Sequence, residues 1–218
     1  MDSFLEKAKK LEEQGVFLGG PYNLFDVAGR KLLMILLEEG LYPESKVLDI
    51  GCGCLRGGYW LIQFLNKACY YGIEPNQEMM NMGLSTLFDE DIIEQKKPGF
   101  DHNGDFNFSV FEEKFDYYVA RSIWTHASQE QICKMLDEFI KTKTENAVFL
   151  TSYIKTGLFE KAYDGSGWVG RSHESDVPGM VHHSFKWIKA ECQKRNLQVE
   201  EIKDKTLNFG SQVWLRIK

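Results

Sequence analysis

The stretch Val47-Leu48-Asp49-Ile50-Gly51-Cys52-Gly53-Cys54-Leu55-Arg56-Gly57-Gly58 runs an apolar strand into glycines and then towards a helix. Open α/β sheets take their ligands at such a turn, because glycine admits φ > 0 and lets a ligand approach the backbone closely. A dinucleotide fingerprint, Gly-x-Gly-x-x-Gly, needs glycine at 51, 53 and 56, and position 56 is Arg. A diphosphate is therefore a poor fit, which speaks against an NAD(P)-dependent oxidoreductase. A nucleoside without phosphates is the alternative. Proton transfer, if the chain performs it, falls to histidine, whose ordinary pKa lies near neutrality. His126 is the first choice of general base, with His182 and His183 next. Cys52 and Cys54 read as small turn residues, since nothing nearby in sequence would stabilise a thiolate. Asp176, His182 and His183 do not form a recognised ligand spacing, so no metal is expected and a divalent ion there is the lesser alternative.

These residues need a frame, and the chain supplies alternating helix and strand patterns. Ser3-x-x-Glu6 is a capping box opening a polar helix that ends near Gly15. Further helices are expected over 23–39, 57–66, 76–88, 128–141 and 184–195. Strands are expected over 45–50, 69–74, 115–120, 147–153, 197–202 and 212–217, with a short one inside the turn-rich 96–110 stretch. Strand–helix repetition of this kind predicts a Rossmann-like, doubly wound α/β fold. Its sheet would be mostly parallel and seven-stranded, with an antiparallel last strand. No repeat or linker divides the chain, so 1–218 reads as a single domain, with N-terminal helices over 1–44 and an irregular insertion over 155–181.

Composition removes other classes. The chain has 218 residues, with 43% apolar and 27% charged, a balance suited to a globular domain. Its apolar runs, such as 32–37, fall far short of the roughly 20 residues of a spanning helix. No secretion signal is visible at the start. Five cysteines, an odd count, favour reduced thiols and a cytoplasmic location. Basic residues number 26 against 32 acidic ones and form no stripe, so neither nucleic acid nor a membrane is an expected partner.

Asp49, Gly51 and Gly53, with Cys52 between the glycines, resemble the first motif of the class I S-adenosylmethionine-dependent methyltransferases, Asp/Glu-x-Gly-x-Gly-x-Gly. Leu55 stands where the family has its third glycine. Tyr71-Gly72-Ile73-Glu74-Pro75-Asn76 is similar to the family's second-strand end, where one carboxylate takes both ribose hydroxyls. Phe115-Asp116-Tyr117-Tyr118-Val119-Ala120-Arg121-Ser122-Ile123-Trp124-Thr125-His126 is similar to the fourth-strand motif of a bacterial subgroup that modifies sugars and small molecules. Asp105-Phe106 lies where that subgroup covers the adenine. The resemblance implies S-adenosyl-L-methionine as cofactor. The set implied to bind it is Asp49, Gly51, Cys52, Gly53, Arg56, Glu74, Pro75, Asp105, Phe106, Arg121 and Ser122.

Methyl transfer from a sulfonium is an in-line displacement, so a protein supplies alignment and, for a hydroxyl acceptor, a base. A long irregular segment inside a compact domain is usually functional. The 155–181 insertion carries Tyr163, Trp168, Arg171 and His173, a set suited to a small polar acceptor. O-methylation of a sugar, a polysaccharide or capsule precursor, or a secondary metabolite is the leading expectation. N-methylation, methylation of a phosphate-bearing metabolite and a non-catalytic relative of the fold are the alternatives.

Overall fold

The computed structural model describes residues 3–172, 175–208 and 210–218. Seven strands form a mixed sheet in the order β3-β2-β1-β4-β5-β7-β6, flanked by α-helices. The chain divides into two compact units, 1–104 and 105–218.

In the first unit, α1 (Phe4–Glu13) begins with both halves of the expected capping box: Ser3 Oγ accepts from the Glu6 N–H and Glu6 Oε2 accepts from the Ser3 N–H. A 3-10 turn (Tyr22–Leu24) leads into α2 (Phe25–Glu38), so the α-helix starts two residues later than expected. β1 (Val47–Ile50) and β2 (Tyr70–Ile73) are buried along their whole length, which is why each reads as a largely apolar run, with Asp49 the one charged residue. β1 pairs parallel with β2, and β2 pairs parallel with β3 (Gly99–Asp101). The helices α3 (Gly58–Phe64) and α4 (Gln77–Leu87) follow β1 and β2. A further helix, α5 (Glu90–Lys96), was not expected: none of its residues is buried, so it has no apolar period. Its signal is electrostatic, with Glu90 and Asp91 at the positive end of the helix dipole.

In the second unit, β4 (Phe115–Ala120) pairs parallel with β5 (Lys143–Tyr153). β5 begins four residues before its apolar stretch: 143–146 are polar and unburied, Lys143 pairs with Phe115, and the register shifts before Val148 pairs with Tyr117. Between them lies α6 (Gln129–Thr142), opened by a second capping box from Ser128 and Gln131. After the insertion come α7 (Phe185–Lys194), β6 (Val199–Glu201) and β7 (Val213–Ile217). β7 runs antiparallel to both β5 and β6, the expected finish. The core of this unit is aromatic, with Trp124, Phe115, Phe139 and Phe149 fully buried around Tyr118.

Candidate functional site

In the first unit the loop leaving β1 alternates left-handed residues: Gly51 at φ 69°, Gly53 at φ 58° and Leu55 at φ 63°. Leu55 therefore adopts the conformation that the third glycine would have taken, at a cost of about 1–2 kcal/mol for an L-residue. The Leu55 side chain, fully buried, offsets that cost. The loop is tied to the end of β2 by the Gly51 and Cys52 N–H groups, which donate to the Ile73 carbonyl at 2.8 and 3.1 Å.

Glu74 is the junction. Its Oε2 accepts from the Gly53 N–H at 3.0 Å and its Oε1 from the Asn76 N–H at 2.9 Å. A carboxylate oxygen has two acceptor positions, so one carboxylate can take backbone N–H groups and hydroxyls together. Beside it, a side chain at Gly53 would meet nothing closer than Met79 Cε at 4.0 Å, so the backbone here is open to a ligand. Open backbone at Gly53 with a carboxylate anchored next to it fits a ribose-bearing cofactor of the S-adenosylmethionine kind. Pro75 follows in the same loop, its carbonyl accepting from the Gln77 N–H at 3.1 Å. Adjoining this loop is a cleft of about 260 Å³ lined by Val16, Phe17, Asn76, Met79 and Met82. Phe17, 73% exposed, was not anticipated, because an isolated Phe in a turn carries no motif.

Asp49 is buried and accepts from the Tyr70 hydroxyl at 2.9 Å. Burial first, then the Asp49 charge, pushes the Tyr70 phenol well above its usual range, so it stays a donor. Burial likewise raises the Cys52 thiol, aided by Asp49 and Glu74, and raises Cys54 to about 11. Neither is a thiolate at neutral pH, in keeping with their reading as turn residues. Arg56 donates to the Gly19 carbonyl at 3.2 Å, joining the glycine loop to the Gly19-Gly20 turn. Arg30 pairs with Asp26 on its own helix and lies over the Trp60 ring.

In the second unit, Asp105 is exposed, while Phe106 is buried and left-handed at φ 57°. Ser122, directly after Arg121 at the end of β4, is also left-handed, at φ 60°. Three hydrogen bonds hold Ser122 there: its N–H donates to Ser152 Oγ at 2.8 Å, its carbonyl accepts from Thr125 Oγ1 at 2.8 Å, and its Oγ bonds the Gln212 amide. Gln212 was not anticipated, since a lone Gln before a strand has no sequence signal. The turn from Ser122 delivers His126, whose N–H donates to the Ile123 carbonyl at 3.0 Å.

His126 Nδ1 lies 2.7 Å from the Val169 carbonyl. A carbonyl only accepts, so Nδ1 carries the hydrogen and Nε2 of the neutral ring holds the lone pair. Burial lowers the His126 pKa, opposed by the carbonyls of Val169 and Gly179. The ring is therefore neutral at neutral pH, with a basic Nε2. Trp168 stacks on it, centroids 5.4 Å apart and planes inclined by 26°. The insertion closes over this histidine as a strap, with the Val169 N–H donating back to the His126 carbonyl at 2.9 Å and the Val181 N–H donating to the Thr125 carbonyl at 2.7 Å. Gly170 permits the approach: a side chain there would fall 2.4 Å from His126 Nδ1.

The other two histidines sit differently. His183 is fully buried, and its Nε2–H donates to the Ala127 carbonyl at 3.1 Å. Burial lowers its pKa as well, so it packs neutral against Trp187. His182 Nδ1 lies 2.5 Å from Glu160 Oε1. Tyr163 turns its hydroxyl onto the Gly167 carbonyl at 3.0 Å, and Arg171 is exposed. His173 lies outside the described residues. Among the described residues no group of three or more His, Cys, Asp or Glu is placed to hold a metal ion, and no helix is long and apolar enough to cross a membrane.

No family model matches the chain. Solved structures do match its fold. The magnesium protoporphyrin IX methyltransferase of Synechocystis PCC 6803 is similar at 13% identity, with 90% of this chain and 83% of that one covered and a TM-score of 0.61. The glycopeptide N-methyltransferase MtfA is similar at 9% identity, with coverages of 88% and 90% and a TM-score of 0.63. DhpI in complex with SAM is similar at 10% identity, with coverages of 99% and 94% and a TM-score of 0.60. At these identities the likeness shows the fold, which is that of the class I methyltransferases.

Proposed function

We propose that the chain is an S-adenosylmethionine-dependent methyltransferase that methylates a hydroxyl of a small polar acceptor, such as a sugar precursor or a secondary metabolite, in the cytoplasm. The observation that carries this reading is Glu74, a buried carboxylate fixed by the Gly53 and Asn76 N–H groups beside an open glycine backbone. That arrangement suits two ribose hydroxyls and offers no cradle for a diphosphate, since position 56 is Arg. When bound, the cofactor supplies an electrophilic methyl group and its own leaving group.

The chain's residues then have separable tasks. Glu74 and Pro75 would hold the ribose side, the 51–53 backbone the methionine side, and Asp105 with Phe106 the adenine. His126 Nε2 takes the acceptor proton, its tautomer set by Val169. His126 is only partly buried, which favours it over His183, whose ring is fully buried, and over His182, whose Nδ1 is engaged by Glu160. Structures of the same fold include an enzyme described as an N-methyltransferase, so transfer to nitrogen is the second reading. An amine acceptor would leave His126 dispensable.

Thermal unfolding with S-adenosylhomocysteine, and separately with NAD and NADP, tests the cofactor. A ligand at 100 times its Kd adds about 2.7 kcal/mol, or roughly 5–10 °C for a chain of this size. Stabilisation by S-adenosylhomocysteine alone is expected. Stabilisation only by a nicotinamide nucleotide would overturn the reading.

A further inference from the structure

In the second unit a 3-10 turn (Phe108–Phe111) follows the Asp105-Phe106 pair. So short a turn needs outside help, because its hydrogen-bond geometry is poor and its first N–H groups have no partner within it. Asn107, at its N-terminal cap, makes no side-chain capping bond. The cap comes instead from Glu138 on α6, 30 residues beyond Phe108. One oxygen, Oε2, accepts from the Phe108 N–H at 3.2 Å, the Ser109 N–H at 3.4 Å and the Ser109 hydroxyl at 3.1 Å. The other, Oε1, accepts from Lys141 at 2.7 Å and Lys134 at 3.4 Å, both on the same helix as Glu138. The residue is 2% exposed, a placement that is costly for a carboxylate unless its oxygens are bonded. One oxygen is thus held by α6 while the other holds the turn.

What the turn holds in place is Phe106, two residues before Phe108. Phe106 is buried and left-handed at φ 57°, and Phe108 is fully buried. A left-handed non-glycine residue persists only where its surroundings over-determine it. Among the described residues, neither the Asp105 carboxylate nor the Phe106 N–H has a partner. An acceptor and a donor on successive residues suit a base whose edge offers a donor beside an acceptor. Adenine has that edge, its N6 amino group lying beside N1. Hypoxanthine reverses it, with O6 accepting and N1–H donating. Which edge fits depends on where the backbone at Phe106 points, and so on what anchors it.

We propose that Glu138 is a positioning residue for adenine recognition. By capping the 108–111 turn it fixes the backbone at Phe106, and with it the donor and acceptor that the base would meet. Glu138 itself touches no ligand. The inference rests on the methyltransferase reading above.

The test is calorimetric titration of the whole chain with S-adenosylhomocysteine and with its hypoxanthine analogue, S-inosylhomocysteine. The native chain should bind the adenine ligand about tenfold or more tighter, the scale of one exchanged donor–acceptor pair. Glu138→Leu, close in size but without an acceptor, should lower that ratio about threefold or more, and Glu138→Gln, which keeps an acceptor oxygen, should retain most of it. Lys141→Met removes an ion pair but leaves the three bonds to the turn, so it should keep the native ratio. A merely structural Glu138 would weaken both ligands alike, and an unchanged ratio in folded Glu138→Leu would overturn the proposal. So would an equal fall in Lys141→Met, because the ratio would then follow the ion pair and not the cap. Should Glu138→Leu fail to fold, Ser109→Ala removes one bond at an exposed residue, and an unchanged ratio there would overturn the proposal equally. Equal affinity of the native chain for the two ligands would do the same. Failure of S-adenosylhomocysteine itself to bind would bring down the methyltransferase reading, and the positioning role with it.

Discussion

Leu55 offers the most direct test of how the glycine loop is built, because two opposed energies meet in one residue. Its φ of 63° places a branched-side-chain L-residue in the left-handed region, which costs about 1–2 kcal/mol. Its side chain is fully buried, and an ideal Cβ at Gly58 would sit 3.0 Å from Leu55 Cδ2. Truncating such a leucine to alanine costs about 2–5 kcal/mol through lost transfer energy and the cavity left behind. Leu55→Ala keeps the backbone strain and loses the packing, so it should be destabilised by that full amount. Leu55→Gly loses the packing but relieves the strain, less about 0.4–1 kcal/mol for the freer unfolded chain. It should therefore be more stable than Leu55→Ala by roughly 0.5–1 kcal/mol. That reverses the order of Gly and Ala found in regular structure. Urea unfolding of the three proteins, with equal slopes checked, reads the difference directly. If Leu55→Ala proves the more stable of the two, the left-handed loop is wrong. If Leu55→Gly exceeds the native chain, the side chain does not offset the strain.

Three further outcomes follow from the same structure. Glu74→Ala should weaken S-adenosylhomocysteine by about 1.5–3 kcal/mol, roughly 10- to 150-fold by calorimetry, because hydrogen bonds to a charged group are lost; unchanged affinity would remove Glu74 from the ribose. His126→Asn should lower turnover by about 10²-fold or more at constant cofactor affinity. In the native chain, activity should fall with decreasing pH only below the ordinary histidine range, because burial lowers the His126 pKa and the neutral ring is the base; an acid limb above pH 7 would exclude His126. Glu138 is held at about 2 despite the opposing effect of burial, by Lys141, Ser109 and Lys134. A carboxylate depressed when folded contributes stability above its unfolded value near 4.5 and loses it as pH falls towards 2. Glu138→Gln should therefore cost about 1–3 kcal/mol at pH 7, after allowance for solvent screening, and nearly nothing at pH 2. A gap independent of pH would refute the ionised assignment.

The fold was legible wherever burial imposes a period. β1, β2 and β4 are buried along nearly all their length, and each appears in the sequence as a largely apolar run, interrupted only by Asp49 in β1, Gly72 in β2 and Asp116 in β4. The Ser3–Glu6 capping box was visible because its side chains, at fixed spacing, satisfy helix-end N–H groups, and Ser128 with Gln131 repeats the arrangement at α6. Elements without burial were not legible: α5 packs no residue into the core, and none of the first four residues of β5 is buried. At the candidate site the same division holds. Glu74 and the glycines stand out because a side-chain type or a missing Cβ is required there. The group that orients His126 is the carbonyl of Val169, a backbone atom that every residue possesses, so no choice of residue type could have announced it.

Strain marks what the motifs leave out. Leu55, Phe106 and Ser122 are left-handed non-glycine residues in the loops that follow β1, β3 and β4, where an α/β sheet presents its ligand-binding ends. Such conformations persist only when their surroundings over-determine them. Leu55 is held by burial, and Ser122 by Ser152, Thr125 and the Gln212 amide. Glycine would reach each conformation without strain but would also leave it easily. A residue locked there by its side chain keeps the following atoms in place, and for Ser122 those atoms are the turn that ends in His126. The third glycine of the motif is thus replaced by a residue that gives up backbone ease for rigidity, the property a methyl-transfer site needs most, since in-line displacement depends on alignment.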